Sequence, residues 1–154
     1  VLGSTEKEFL RKSAQDSLLE FASAQLAVQK AQNPQVIDYA LRLMDDHAQY
    51  NKQLMQLARE KQVEIPVTLD KEGRSKIKRL MRLQGSEFDR QYTQEAAQAN
   101  QSDLRDLQRA SSSIKDPDVQ AFITQTLPVQ QQHLQLSQQL QTSSTSGSTG
   151  TTSK

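Results

Sequence analysis

Apolar residues recur along most of this chain at steps of three and four, the spacing that lines one face of an α-helix. In the first segment Leu10, Ala14, Phe21, Ala24, Val28 and Ala31 approximate such a face. In the second the steps alternate without a break through Val36, Ala40, Leu43, His47, Tyr50, Leu54 and Leu57, which sets a histidine on the apolar seam. A third face, thin and polar for a core, runs through Tyr92, Ala96, Ala99, Asp103, Leu107, Ala110 and Ile114, and a fourth takes in Val119, Phe122, Ile123, Leu127, Leu134 and Leu140.

The boundaries between these segments carry helix-start chemistry. Thr5 with Glu8 has the form of a capping box for the first helix, which extends to about Gln32. Asn33 then caps and Pro34 occupies the first position of the second helix, where its missing N–H leaves no bond unmade. Asp116 and Pro117 repeat the device, so "NPQVIDYA" and "DPDVQAFI" read as a weak internal repeat of two helical hairpins. Pro66 breaks the second helix and opens a connector, about Lys61 to Gly85, that is longer than a bundle turn needs. Within it, Asp70 to Leu83 reads as a short basic amphipathic helix, ended by Gly85, with Ile77, Leu80 and Met81 on one side. Ser86 and Asp89 look like the cap of the third long helix, and Pro128 should bend the fourth. The prediction is an all-α, ferritin-like antiparallel four-helix bundle with a long connector carrying a short helix between helices 2 and 3. It occupies residues 1–141 as a single domain, and residues 142–154, only Ser, Thr, Gly and Lys, are expected to be a disordered tail or an expression remnant.

Composition narrows the function classes. With 19 Lys and Arg against 18 Asp and Glu, no global field recruits nucleic acid or an anionic membrane. The absence of cysteine excludes disulfides, thiolate metal sites and Cys nucleophiles together. No apolar run approaches the roughly 20 residues needed to cross a bilayer. The first residue is Val1 rather than Met, which raises the expectation of a removed upstream piece, a signal peptide being one candidate. No Gly-rich phosphate loop or Gly-x-Ser-x-Gly elbow occurs, so nothing argues for nucleotide binding or hydrolysis.

The candidate chemistry lies at mid-helix. His47 follows Asn33 by 14 residues and His133 follows Asp116 by 17, while Glu20 precedes Asn33 by 13 and Asn100 precedes Asp116 by 16. Every long helix therefore brings one potential ligand to about the same level. A ferroxidase-type di-iron centre needs Glu-x-x-His on two helices, and the third residues upstream of the histidines are Met44 and Gln130, so the carboxylate count argues against that centre. His47, His133 and Glu20, with Asn100 as fourth member of the layer, still compose a mononuclear set for one iron, zinc or copper ion. The plainer account is a polar core layer whose members hydrogen-bond one another and nearby Gln, Tyr and Asn, with no cofactor, and it is preferred because buried polar groups must be paired in any case. The basic connector has two readings as well. Lys71, Arg74, Lys78 and Arg79 are either the solvated outside of a packed helix or a contact for an anionic membrane surface, and the solvated face is the more economical.

"LLEFASAQLAVQKAQNPQVIDYALRLMDDHAQYNKQLMQLAREKQVEIP", "LQGSEFDRQY" and "TLPVQQQHL" together resemble the DUF4142 family of exported bacterial proteins, also labelled predicted outer-membrane proteins. The resemblance covers about residues 5 to 141. It rests on Asp46-His47, on Ala58 to Pro66, on Gly85-x-x-Phe88-Asp89-x-x-Tyr92, and on Leu127-Pro128 ahead of His133. It implies a ferritin-like bundle in the periplasm or cell envelope after removal of a signal peptide not present in this chain, and it implies no settled activity. Where the family pattern commonly has a third-helix His, this chain has Asn100, a poor transition-metal ligand. The favoured function is thus non-enzymatic binding or stress-related association, with a metal-binding or redox ferritin-like protein as the alternative; partner and oligomeric state are not encoded legibly. Changing Lys71, Arg74, Lys78 and Arg79 together to Gln is expected to shift the thermal midpoint by no more than about 2 °C, because exposed charges contribute little. Cosedimentation with anionic vesicles that the same change abolishes would favour the membrane contact instead.

Overall fold

The computed structural model describes residues 2–150, with side chains described for residues 2–142. Four long helices, α1 (Ser4–Lys30), α2 (Pro34–Glu60), α4 (Gly85–Ser113) and α5 (Pro117–Gly150), form the bundle, and α3 (Lys71–Arg82) lies in the connector. Asn33 and Asp116 act as the sequence predicts. The Asn33 side chain accepts from the N–H of Gln35, and Asp116 Oδ1 accepts from those of Asp118 and Val119. Each cap lets a new helix begin within a few residues of the last, so α1–α2 and α4–α5 pack as hairpins.

The connector decides how the hairpins meet. α2 ends in a left-handed turn at Gln62 (φ 59°), where the Val63 N–H returns to the Ala58 carbonyl and the Val63 side chain is buried. From there the chain climbs the outside of α1. Arg11 donates to the Glu64 carbonyl, Gln15 to that of Thr68, and Lys30, nearly a full helix further on, to that of Met81. α4 therefore starts beside the α1–α2 turn and runs antiparallel to α1, while α5 starts beside the end of α2, where Lys61 Nζ lies 3.0 Å from Asp116 and 2.7 Å from Asp118. The result is one crossover in an otherwise antiparallel bundle, as expected. Among the described residues no helix is long and apolar enough to cross a membrane.

Several local expectations are corrected. Thr5 and Glu8 form no capping box, because α1 already begins at Ser4 behind Gly3 and without a side-chain cap. Ser86 does not cap α4, which starts at Gly85 behind Gln84. Gly85 does not end α3 either: it lies two residues past the C-cap Leu83, and its left-handed backbone (φ 60°) turns the chain into α4. Asp89 has a more distant task. Its carboxylate accepts from the N–H of Gln32 (3.1 Å) and of Asn33 (2.8 Å), tying the α1–α2 turn to the start of α4. The inner faces also rotate slightly. Ser17 and Ala27 are buried on α1 where Phe21 and Val28 are half-buried, and Phe88, Thr93, Ala97 and Asn100 are buried on α4 where Ala96, Ala99 and Asp103 are half-buried. α1 and α4 each have three neighbours, the connector helix α3 among them, and a one-face pattern cannot anticipate that. The tail expectation concerns residues whose side chains, from 143 onward, lie outside the described ones.

Removing the Asp89 carboxylate leaves two N–H groups at the hairpin turn without their acceptor. Asp89→Ala is expected to lower unfolding stability by about 2 kcal/mol in urea titrations. Asp116→Ala, the loss of one partly buried N-cap, is expected to lower it by about 1 kcal/mol, and equal losses would show that the Asp89 bridge adds nothing beyond local capping.

Candidate metal centre

The apolar core falls into two clusters. One holds Leu10, Leu54, Leu107, Phe122 and Ile123 at the end of the bundle near the start of α1, and the other holds Ala24, Val36, Leu43, Phe88 and Tyr92 near the α1–α2 turn. Between them lies a polar layer that contains Ser17, His47, Asn100, Gln130, His133 and Ser137, all buried. Groups so placed lose their water and need partners from the protein.

Asn100 and its neighbours are fully paired. Its Nδ2 shares two N–H groups among Tyr39 Oη (2.8 Å), the His133 carbonyl (3.1 Å) and Ser137 Oγ (3.2 Å), and Gln130 Nε2 donates to its Oδ1 (3.1 Å). This is a hydrogen-bonded layer of the kind the plainer account describes, with Asn100 at its centre.

The histidines are paired only on one side. His47, 5% exposed, has Nδ1 2.8 Å from Ser17 Oγ, and His133, 3% exposed, has Nε2 2.7 Å from Asp46 Oδ2. The two rings lie 5.7 Å apart between centroids and are tilted by 36°, yet they do not bond each other. His47 Nε2 and His133 Nδ1 are left buried without a partner. Burial, reinforced by the neighbouring His133, pushes the His47 imidazolium down to about 3, and burial also lowers His133 against the opposing pull of Asp46. Both rings are thus neutral near pH 7. A neutral His133 gives its Nε2–H to the Asp46 carboxylate, which leaves a lone pair on Nδ1. With the corresponding tautomer, His47 gives Nδ1–H to Ser17 and keeps a lone pair on Nε2.

Both histidines line a cavity of about 200 Å³ enclosed by α1, α2, α4 and α5, together with Tyr50, Glu20 and Asp103. Glu20 is not joined to the imidazoles; its carboxyl hydrogen-bonds that of Asp103. Burial drives both upward, Glu20 well above its ordinary range and Asp103 to about 7, and mutual repulsion raises Glu20 further, so near neutrality Glu20 is the proton donor and Asp103 the acceptor. Among the described residues the one set of three acidic or histidine side chains whose ligand atoms lie within 4.8 Å of one another is Asp16, Asp103 and Asp106, on the wall of the same cavity. The structure therefore brings His47 and His133 together and places Glu20 against a carboxyl instead. Asp46, Ser17, Asp16 and Asp106 are the residues that sequence reasoning missed. Asp46 adjoins His47 in the chain but serves His133 on another helix, and no local spacing signals that.

A family model described as "Domain of unknown function (DUF4142)" matches residues 2–140. No curated protein matches the chain. Among solved structures, CopM in the Cu(II)-bound form superposes with a TM-score of 0.74 at 14% identity, covering 90% of this chain and 96% of that one. CopM in the Cu(I)-bound form gives 0.73 at 14% identity, covering 87% and 93%, and CopM in an Ag-bound form obtained by soaking gives 0.71 at 16%, covering 90% and 95%. At this identity the likeness establishes a shared helical-bundle fold.

The buried bases and the buried acids act on stability in opposite directions. Below its ordinary value of 6.5 the unfolded chain protonates His47, whereas the folded chain does so only near 3, so this residue's contribution is lost as pH falls through that window. Asp103 holds a proton when folded up to about 7 and when unfolded only up to 3.8, so its contribution grows as pH falls from 7 toward 4. In metal-free protein, His47→Leu is expected to gain stability relative to wild type as pH falls from 6 to 4, by up to about tenfold in the folding constant per pH unit. Asp103→Asn is expected to lose it over the same range. Urea titrations at three pH values check both, and curves parallel to wild type would show that the two groups are not buried as described.

Proposed function

The chain belongs to the DUF4142 family, and on that premise we propose that it is a metal-binding helical bundle that holds one transition-metal ion through His47 Nε2 and His133 Nδ1. The observation that carries this reading is the pair of buried ring nitrogens without partners, on two histidines that line one cavity from two helices. An unpaired buried nitrogen is unfavourable by about 1 to 3 kcal/mol, and two of them at one place are relieved together by a single ion. The Asp46–His133 bond supports the same reading, since a carboxylate that takes the far N–H of an imidazole is the usual support of a metal-bound histidine. Ser17 plays that part for His47.

Neutral imidazoles suit copper, zinc, iron and nickel. The copper- and silver-bound forms of CopM, a protein of the same fold, favour copper among these for the first trial. Glu20 joins the ligand set only once the proton it shares with Asp103 has left. It is chosen over the plainer reading from sequence, a polar core layer whose members hydrogen-bond one another and nearby Gln, Tyr and Asn; non-enzymatic action is retained, as binding. A location in the periplasm or cell envelope, which the family resemblance implies, is part of the proposal.

Chelator-treated protein reconstituted with Cu(I), Cu(II) or Zn(II) is expected to retain one ion per chain by mass spectrometry and to melt higher in proportion to occupancy. His47→Leu and His133→Leu are expected to lose the ion, and Asp46→Asn to bind about 10- to 100-fold more weakly. If none of these ions is retained and no midpoint moves, the layer is a purely structural one.

A further inference from the structure

The connector helix α3 is held to the bundle by one narrow side. Gly73 and Leu80 are buried, Lys76 and Ile77 are half-buried, and every other residue of the helix is exposed. Asp70 caps its start by accepting from the Gly73 N–H, and Lys30 of α1 donates to the Met81 carbonyl near its end, so α3 lies fixed along the outside. At about 3.6 residues per turn, Lys71, Lys78 and Arg82 stand opposite Gly73 and Leu80, with Arg74 on one flank and Arg79 on the other. The one carboxylate of the helix, Glu72, pairs with Lys76 instead. Among the described residues Lys71, Lys78, Arg79 and Arg82 make no ion pair, and Arg74 bonds only the Leu69 carbonyl. The charge balance is equally uneven. Residues 71–82 hold six Lys and Arg against one Glu, which leaves 13 cations against 17 acids in the rest of the chain. The two most exposed large apolar side chains among the described residues belong to the same connector: Val67, 68% exposed, ahead of α3, and Met81, 56% exposed, in its last turn.

We propose that the outer side of α3 is a docking surface for an anionic lipid bilayer. A merely solvated helix face intersperses both signs of charge, whereas this stripe has one sign and folding leaves it unused. It is about 18 Å long on a helix that lies along the bundle, which matches an extended plane of negative headgroups better than a single small anion. Clusters of four to eight Lys and Arg on such a helix attract anionic lipid. The apolar side of α3 is already packed on the bundle, so the attachment is electrostatic and reversible, with Val67 and Met81 entering the headgroup layer beside the cations. The carboxylate excess elsewhere orients the molecule, because the surface that attracts the stripe repels the remainder. This docking goes beyond the imidazole site and does not depend on it.

The test is flotation of the chelator-treated full chain with vesicles of phosphatidylcholine alone and of phosphatidylcholine and phosphatidylglycerol in equal parts. Wild type is expected to bind the mixed vesicles at least about tenfold more tightly than the neutral ones. That preference is expected to vanish toward about 1 M salt, where the screening length falls to about 3 Å. Changing Lys71, Arg74, Lys78 and Arg79 together to Gln is expected to weaken binding by about tenfold or more. Changing Lys52, Arg59, Arg105 and Arg109 together to Gln removes the same charge from exposed positions on α2 and α4, and is expected to leave binding within about threefold of wild type. Thermal midpoints check that both variants are folded. Val67→Ser with Met81→Ser is expected to weaken vesicle binding by about threefold or more and to leave any binding of soluble polyphosphate unchanged. Three outcomes overturn the docking. Equal losses in the two fourfold variants would mean that overall charge alone is read. Polyphosphate bound as tightly as the mixed vesicles, with no effect of Val67→Ser and Met81→Ser on either, would assign the stripe to a soluble polyanion. Wild type that fails to float with the mixed vesicles would leave the stripe a solvated face.

Discussion

Two imidazoles buried between two apolar clusters impose the constraint on which the rest of this molecule depends. Each ring has two nitrogens, and each nitrogen taken out of water needs a partner. Ser17 and Asp46 supply one partner apiece, from α1 and α2. Around them Asn100, Gln130, Ser137 and Tyr39 are linked by hydrogen bonds to one another and to the backbone of α4 and α5. The layer is thus closed everywhere except at His47 Nε2 and His133 Nδ1, whose residues line the same cavity. A polar layer that is almost fully paired is rigid, and rigidity is what a pair of ligands needs if an ion is to select them.

The crossover makes that layer possible. Because the connector runs the length of α1, the second hairpin enters beside the α1–α2 turn and its helices descend and return in antiparallel contact with the first pair. His47 and His133, each about half a helix from its own cap, then arrive at one level. Asp89 holds the upper junction by capping a turn that belongs to the other hairpin, and Lys61 holds the lower one against Asp116 and Asp118. These ties are polar and few. The two apolar clusters supply most of the burial on either side, and the polar contacts set how the hairpins are aligned.

The cavity also separates two kinds of electrostatics within a short distance. On the α2 and α5 side burial keeps bases neutral, and on the α1 and α4 side it raises the acids, so that Glu20 keeps a proton that it gives to Asp103. Neither side tolerates its charge alone. A cation relieves both, since it accepts the lone pairs of the imidazoles and neutralises carboxylates that otherwise repel one another.

The all-helical class, the two Asx-Pro restarts and the long connector with its short helix followed from local pattern, because capping and helical periodicity are set by residues a few positions apart; the family followed from the resemblance of whole motifs. The burial of His47 was legible for the same reason: it sits in an unbroken seam. The rotation of α1 and α4 by a residue was not legible, since a helix with three neighbours buries more than one stripe, and the capping roles of Thr5, Glu8 and Ser86 failed because a helix end is fixed by where the preceding chain leaves it. Glu20 was placed at the right level but beside Asp103 rather than beside the imidazoles. Level along a bundle follows from counting residues, whereas the angular position around the helix, and with it the partner, follows only from packing. That is why Asp46 with His133, Asp89 with the α1–α2 turn, and the trio of Asp16, Asp103 and Asp106 were decided by the tertiary structure alone: each joins helices that are far apart in the chain, and their side chains meet only after the hairpins have docked.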